Sequence, residues 1–263
     1  MSVSVPIVKM NGTKNEFVVL DHRSGEQNGY PKLAVALCDP QSGFEADGLL
    51  VILPSREADA RMRMFNPDGT EAEMCGNGIR CVARYLVEAG GPEHATIETI
   101  AGPIRTDVVG RDPFLVRAAI GSPQVGEPRE LSIAGRTLEY VPVSVGNPHV
   151  VIFTDDVMRV DLEFIGPQIE KHPAFPEGTN VHFCVVEDRK TLRARHWERG
   201  AGATLACGTG ATACAAAAIV RGIADSPVDV WVPGGRLIIE WDGRGEAFMT
   251  GEVEREFETV AST

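Results

Sequence analysis

The chain contains an internal repeat, and duplication of a sequence segment constrains the fold more strongly than any other feature. Residues 65–78 and 197–210 both read as an aromatic residue, a polar glycine-bearing loop and then Cys-Gly-x-Gly. The offset between the copies is 132 residues, counted from residue 75 to residue 207. The same offset aligns three pairs of landmarks, namely Cys75 with Cys207, Asn15 with Asn147, and Gly48 with Asn180. The chain is therefore expected to consist of two copies of one fold.

The two copies predict two domains, residues 1–121 and 122–263, with the last residues returning to the first domain. The boundary lies in a polar stretch rich in Gly and Pro, residues 121–128, which is typical of a linker. Each half is rich in strand-like runs. The predicted strands are residues 49–54, 61–65, 114–120, 137–145, 181–187, 191–197 and 236–241, and the predicted helices are residues 77–89 and 209–221.

The second predicted helix is apolar and small on every side, which indicates that protein surrounds it completely. In a strand-rich half, this favours a central helix wrapped by a sheet. The predicted fold class is α+β, with two pseudo-symmetric domains. Each domain is expected to be a barrel-like, mostly antiparallel sheet around a central helix, with the active site in the cleft between the domains.

Composition excludes several classes of function. A net charge of −12 and a pI near 5.0 argue against nucleic acid, because phosphates would be repelled. The sequence has no apolar run of about 18 residues and no signal-peptide pattern at its start, so we expect a cytoplasmic protein without a membrane partner. Six cysteines in a chain this long without a secretory signal indicate free thiols rather than disulfides. None of them forms a CxxC pair, which argues against a zinc site.

The Cys-Gly-x-Gly loops suit the binding of an anion at the start of a helix. Glycine lets the backbone approach a ligand closely, and the first turn of a helix presents amide N–H groups without partners inside the helix. A cysteine at the same place is expected to have a lowered pKa, because the helix start stabilises the thiolate. One feature would then serve both carboxylate binding and thiol activation.

Phosphate binding is the alternative interpretation of a glycine loop before a helix. A P-loop needs Lys followed by Ser or Thr after the last glycine, whereas Ile79-Arg80 and Ala211-Thr212 stand there. The strand pattern also lacks the parallel unit of a dinucleotide fold. Two opposed thiols suit inversion at the α-carbon of an amino acid, which needs a base on one face, an acid on the other and a stabilised carboxylate.

At these residues the chain resembles the diaminopimelate epimerase family over nearly its whole length. The similar segments are residues 65–69, 74–81, 146–149, 198–202 and 206–210. The resemblance implies epimerisation of LL- and meso-diaminopimelate, in lysine and peptidoglycan precursor synthesis, without pyridoxal phosphate or metal. It implies that Cys75 and Cys207 are the acid and base. It further implies that amides of Gly76, Asn77, Gly208 and Thr209 hold the reacting carboxylate, and that the distal end of the substrate contacts Asn15, Asn66, Asn147, Asn180, Glu198 and Arg199.

The sequence departs from the family pattern at three places. Residues 11–17 read Asn-Gly-Thr-Lys-Asn-Glu-Phe where the family usually has His-Gly-Leu-Gly-Asn-Asp-Phe. Gly48 stands where many relatives carry glutamine, and Ala203 replaces a common glutamate. The catalytic cysteines are unaffected by these differences.

Two other functions remain as alternatives. One is a racemase of another amino acid, such as histidine, on the same scaffold, and the other is a thiol redox or ligand-binding module. A homodimer is compatible with either enzyme. Outside the site, Cys38, Cys81, Cys184 and Cys214 are interpreted as buried small residues. His149 is expected either to support Asn147 or to line the cleft. Arg80 is expected either to orient the site or to pair with a surface acid, and the second role is favoured.

Overall fold

A computed structural model describes residues 4–133 and 135–262. The chain divides into two compact units. The first unit comprises the residues up to Ala118 together with those from Gly251 onward, and the second is Ala119–Thr250. No helix in the described part of the chain is long and apolar enough to cross a membrane.

The strands, in chain order, are β1 (Ser4–Gly12), β2 (Asn15–Asp21), β3 (Gly48–Leu53), β4 (Ala60–Phe65), β5 (Glu71–Ala72), β6 (His94–Thr99), β7 (Gly102–Arg111), β8 (Phe114–Gly121), β9 (Gln124–Val125), β10 (Arg129–Ile133), β11 (Arg136–Ser144), β12 (Pro148–Phe153), β13 (Asn180–Asp188), β14 (Thr191–Glu198), β15 (Gly202–Thr204), β16 (Val228–Val232), β17 (Gly235–Glu240) and β18 (Ala247–Ser262). The α-helices are α1 (Tyr30–Cys38), α2 (Gly76–Glu88), α3 (Leu162–Glu170) and α4 (Gly208–Val220).

The sheet of the first unit is a closed barrel. Its strands pair in the order β1, β2, β3, β4, β6, β7 and β8, with parallel pairing only between β2 and β3 and between β4 and β6. Strand β18 pairs with both β1 and β8 and so completes eight strands. Closure leaves the barrel without an unpaired edge.

The second unit repeats this order. Strands β11, β12, β13, β14, β16 and β17 pair in sequence, and parallel pairing recurs at the equivalent places, β12 with β13 and β14 with β16. Strands β1 and β11 begin at residues 4 and 136, α1 and α3 at residues 30 and 162, and α2 and α4 at residues 76 and 208, so each pair is separated by 132 residues. The predicted duplication and fold class are confirmed.

Each unit has an inner and an outer helix. The inner helix α2 contacts β1, β2, β3, β4, β6 and β7, and α4 contacts β11 to β14, β16 and β17. The outer helix α1 packs its Tyr30, Ala34 and Leu37 against Leu49 and Val51 of β3. Because both faces of the sheet are covered, β3 is buried along its whole length.

All seven predicted strands and both predicted helices are present, with ends shifted by one residue in most cases. The outer helices α1 and α3 were not predicted. Each has only nine residues, α1 carries proline in its first turn, and α3 contains Pro167 in its interior. Such short segments show too few helical periods for the hydrophobic pattern to be read.

Candidate functional site

Each motif cysteine is the N-cap of an inner helix. Cys75 has extended backbone (φ −139°, ψ 115°), and its Sγ accepts a hydrogen bond from the Gly78 amide at 3.4 Å. Cys207 has the same conformation (φ −124°, ψ 110°), and its Sγ accepts from the Gly210 amide at 3.3 Å. Each sulfur therefore occupies the position where a helix start stabilises negative charge.

The second glycine of each motif lies close against a side chain of the strand beneath it. A Cβ at Gly78 would lie 2.9 Å from Leu50 Cδ2, and a Cβ at Gly210 would lie 2.5 Å from His182 Cε1. Both distances are below ordinary van der Waals contact, so glycine allows the helix start to sit directly on β3 or β13. The motif thus sets the depth at which the thiol is held.

Two asparagines lie beside Cys75. The Cys75 Sγ is 4.0 Å from Asn15 Oδ1, and Asn77 Nδ2 donates to the same oxygen at 3.5 Å. Asn15 Nδ2 in turn donates to Asp47 at 2.9 Å, which fixes the orientation of its amide. The first unit therefore brings the side chains of Asn15, Asn77 and Cys75 together. Asn66 instead donates to Thr70 Oγ1 within its own loop, at 2.9 Å.

Arg80 is fully buried, so the prediction that it pairs with a surface acid is wrong. Its guanidinium donates to Asn77 Oδ1 at 2.6 Å, to Thr13 Oγ1 at 3.0 Å, and to the carbonyl oxygens of Gly76 and Glu252. Burial lowers the pKa of Arg80 to about 10, so the side chain is still a cation at neutral pH. The burial of Arg80 could not be predicted locally, because its acceptors Thr13 and Glu252 lie far away along the chain.

Arg80 also anchors the turn that departs from the family pattern. Thr13 and Lys14 both have left-handed backbone, with φ of 58° and 60°. That conformation disfavours residues with a Cβ, above all β-branched ones, and a glycine is its usual occupant. The chain therefore forms a left-handed turn without a second glycine, and the hydrogen bond from Arg80 to Thr13 helps to hold it.

Cys207 is buried and lies against a carboxyl group. Burial is the main cause that raises the pKa of the Cys207 thiol well above its usual value, and the charge of Glu198 raises it further. Burial also raises the pKa of Glu198, which accepts a hydrogen bond from Thr204 Oγ1 at 2.6 Å. The expectation of a lowered thiol pKa is therefore wrong for Cys207 in the unliganded chain, because burial and Glu198 outweigh the helix amide. Cys207 is a neutral thiol here.

Two other predicted residues of the second unit, Asn180 and Arg199, are hydrogen-bonded to each other. Asn180 Oδ1 accepts a hydrogen bond from the Arg199 amide at 3.0 Å, and Asn180 Nδ2 donates to the Pro148 carbonyl at 2.9 Å. The Arg199 guanidinium donates to the carbonyl of Glu177 at 3.1 Å. Thr209 Oγ1 lies 3.6 Å from Cys207 Sγ.

Three histidines form a buried chain that begins at Asn147. His149 Nε2 lies 2.7 Å from Asn147 Oδ1, His149 Nδ1 lies 2.8 Å from His182 Nε2, and His182 Nδ1 lies 2.8 Å from His196 Nδ1. Of the two roles predicted for His149, support of Asn147 matches this geometry. Sequence reasoning missed His182 and His196, although the 132-residue offset pairs them with the apolar Leu50 and Met64.

Comparison with known proteins identifies one family over nearly the whole chain. The family model described as diaminopimelate epimerase matches residues 7–125 and 141–256. A diaminopimelate epimerase of Desulfitobacterium hafniense is 45% identical, with 97% of each chain covered. Diaminopimelate epimerase 1 of a Nostoc species is 40% identical, covering 97% of this chain and 99% of that protein.

Solved structures with lower identity share the fold. A Bacillus anthracis phenazine biosynthesis protein of the PhzF family superimposes with a TM-score of 0.76 at 19% identity, covering 98% of this chain and 99% of that chain. A probable proline racemase from Agrobacterium radiobacter, with bound carbonate, gives a TM-score of 0.70 at 18% identity, covering 97% and 92%. The duplicated barrel, the two capping cysteines and the close relatives agree with the resemblance found in the sequence. The chain belongs to the diaminopimelate epimerase family.

Proposed function

We propose that this enzyme interconverts LL- and meso-2,6-diaminopimelate by moving the α-proton between two thiols, without a cofactor. The observation that carries the proposal is the duplicated N-cap thiol. Cys75 and Cys207 occupy the same backbone position in two copies of one fold, yet their surroundings carry opposite charge. A two-base inversion needs matching geometry and opposite protonation states.

In one direction Cys75 is the base and Cys207 is the acid. The Cys75 thiolate takes the α-proton from one face of the substrate, and the Cys207 thiol gives a proton to the other face. One proton enters the protein and one leaves it, so the reaction is balanced and the two thiols end in exchanged protonation states. The buried cation Arg80 favours a thiolate at Cys75, whereas Glu198 favours a thiol at Cys207.

The proposal assigns the reacting carboxylate to the helix starts. Each cysteine sulfur accepts a hydrogen bond from the amide of the last glycine of its motif. The amides assigned to the carboxylate are therefore the earlier ones, those of Gly76, Asn77, Gly208 and Thr209. Negative charge develops on this carboxylate as the proton leaves. Preorganised amides and helix dipoles at that oxygen are worth several kcal/mol, typically about 3, for each important donor.

The distal end of the substrate is assigned to polar side chains around the site. Arg199 would bind the distal carboxylate with two parallel hydrogen bonds, and it is positioned through its own amide by Asn180. The other assigned contacts are Asn15, Asn66, Asn147 and Glu198. This set favours a long substrate with a second charged end over histidine or proline.

The test is proton exchange in deuterium oxide, with no cofactor added and LL-diaminopimelate, histidine and proline offered separately. Loss of the α-proton signal with LL-diaminopimelate, together with appearance of the meso form, is expected. The Cys75→Ala/Cys207→Ala double variant is the control for exchange catalysed by buffer. Exchange with histidine or proline alone would assign a different racemase, and exchange with none of the three would exclude the two-base function.

We further propose a cytoplasmic location and a homodimer. All six cysteines are free thiols, which is typical of a reducing compartment. Sedimentation velocity at micromolar concentration checks the oligomeric state, and a single species with the mass of one chain would contradict the dimer.

A further inference from the structure

The histidine chain of the second unit is placed where the first unit has apolar packing. His149, His182 and His196 are at most 2% exposed. The 132-residue offset aligns them with Phe17, Leu50 and Met64, which are also buried. Strand register agrees, since His182 pairs with His196 across β13 and β14, as Leu50 pairs with Met64 across β3 and β4.

The first unit therefore shows that this position in the fold can be filled by apolar side chains. Buried imidazoles are harder to accommodate, because each ring nitrogen needs a hydrogen-bond partner. A local exception to apolar packing inside a duplicated core marks a site with a role of its own. The three rings are linked end to end and do not converge on one point, so the arrangement is a relay of hydrogen bonds.

Hydrogen-bond donors and acceptors determine the direction of the relay. Asn147 presents its Oδ1, an acceptor, so His149 Nε2 carries a proton and His149 Nδ1 is an acceptor. His182 must then donate from Nε2, and His196 must donate from Nδ1. Among the described residues, nothing hydrogen-bonds His196 Nε2, which is buried. In this direction His196 Nε2 carries an unpaired lone pair. In the reverse direction the same atom would carry an unpaired N–H group, which is rarer in protein interiors.

We propose that His182 and His196 are positioning residues that fix His149 as the Nε2–H tautomer and so fix the amide of Asn147. Because Asn147 Oδ1 is occupied by His149, the NH2 group of Asn147 is turned away from the relay and is the group offered to the substrate. The substrate atom that it recognises is an acceptor, such as a carboxylate oxygen. The recognition step rests on the proposed function, whereas the tautomer of His149 does not.

The relay can be tested with two substitutions of similar size at one position. In His182→Gln, the amide can donate to His149 Nδ1 and accept from His196, so the relay is kept. In His182→Leu, which places the residue of the first unit at this position, both hydrogen bonds are lost. Long-range proton–nitrogen correlation spectra of histidine-labelled, substrate-free protein report the tautomer of each ring, and His94→Gln at an exposed position is the control.

The wild type and His182→Gln are expected to show His149 protonated only at Nε2. His182→Leu is expected to show a population protonated at Nδ1 and a KM for diaminopimelate about tenfold higher, the effect of losing one oriented hydrogen bond, with a smaller change in kcat. Should His182→Leu not fold, His196→Met carries the same measurement, since Met64 fills the equivalent site. His149 protonated at Nδ1 in the wild type would overturn the direction of the relay. If His182→Gln and His182→Leu show the same His149 tautomer and the same KM, His182 contributes packing alone and the proposed positioning role is wrong. If the enzyme proves inactive on diaminopimelate, the spectra still decide the relay.

Discussion

The buried histidines should make the second unit sensitive to acid. Burial lowers the pKa of His149 and of His196 to about 3, and it lowers the pKa of His182 well below its usual value. In the unfolded chain the same groups have a pKa of about 6.5. Below pH 6.5 the unfolded state therefore binds protons that the folded state does not, and stability falls as the pH decreases from about 6.5 towards 3.

The magnitude is large compared with the stability of a protein domain. For each such group, the free energy of unfolding falls by about 1.4 kcal/mol for every pH unit below the pKa of the unfolded chain. At pH 5, His149 and His196 would each lower the free energy of unfolding by about 2 kcal/mol. His182 acts in the same direction. A typical domain has about 5–15 kcal/mol of stability in total. Glu198 acts in the opposite direction, since its raised pKa favours the folded state in acid, but it is one group against three.

Tryptophan fluorescence during urea denaturation measures this effect in the second unit alone, because all three tryptophans, Trp197, Trp231 and Trp241, lie in it. The urea midpoint is expected to fall clearly between pH 7 and pH 5. The His182→Leu/His196→Met variant should lose most of that fall, and His94→Gln should behave like the wild type. An equal midpoint at both pH values, or an unchanged fall in the double variant, would refute the assignment of neutral buried imidazoles.

Four further substitutions test the site and the buried arginine next to it. Cys75→Ala and Cys207→Ala should each abolish inversion while the fold is retained, as measured by meso-diaminopimelate formation and circular dichroism; residual epimerisation by either would contradict the two-base mechanism. Arg199→Lys should raise the KM for diaminopimelate by tenfold or more, because an ammonium cannot form the bidentate contact; unchanged kinetics would remove Arg199 from the distal site. Arg80→Ala should lower the free energy of unfolding by about 3 kcal/mol, since it leaves a cavity and unpaired oxygens in the first unit. Urea denaturation followed by circular dichroism measures this change. A change below about 1 kcal/mol would show that the hydrogen bonds of Arg80 are dispensable.

Local sequence features were sufficient to predict the inner layer of the fold. The helix starts could be placed because Cys75 and Cys207 precede glycine-rich first turns, and the strands could be placed because their apolar runs are bounded by turn residues. The repeat then fixed the number of domains and their common architecture. The outer helices were out of reach, since nine residues with proline inside or at the start give no clear periodicity.

The contacts that depend on tertiary structure could not be predicted. Arg80 looked like an exposed charge, because a basic residue in an amphipathic helix usually faces solvent. Its acceptors Thr13 and Glu252 are brought to it only by barrel closure. Likewise, the contact of His149 with Asn147 is local, whereas the contact of His182 with His196 requires the register of β13 on β14.

Duplication explains how one chain can supply two equivalent positions and two inequivalent chemical environments. The backbone of each copy places a sulfur at a helix N-cap, and the copies differ at positions around it. Arg80 corresponds to Thr212, and each donates a hydrogen bond to the carbonyl of the first helical residue, but only Arg80 brings a charge. Asn66 similarly corresponds to Glu198, which places a carboxyl group beside Cys207. The proposed inversion needs a thiolate on one side and a thiol on the other. Divergence of these few side chains would therefore suit a symmetric scaffold to a reaction that is asymmetric at every step.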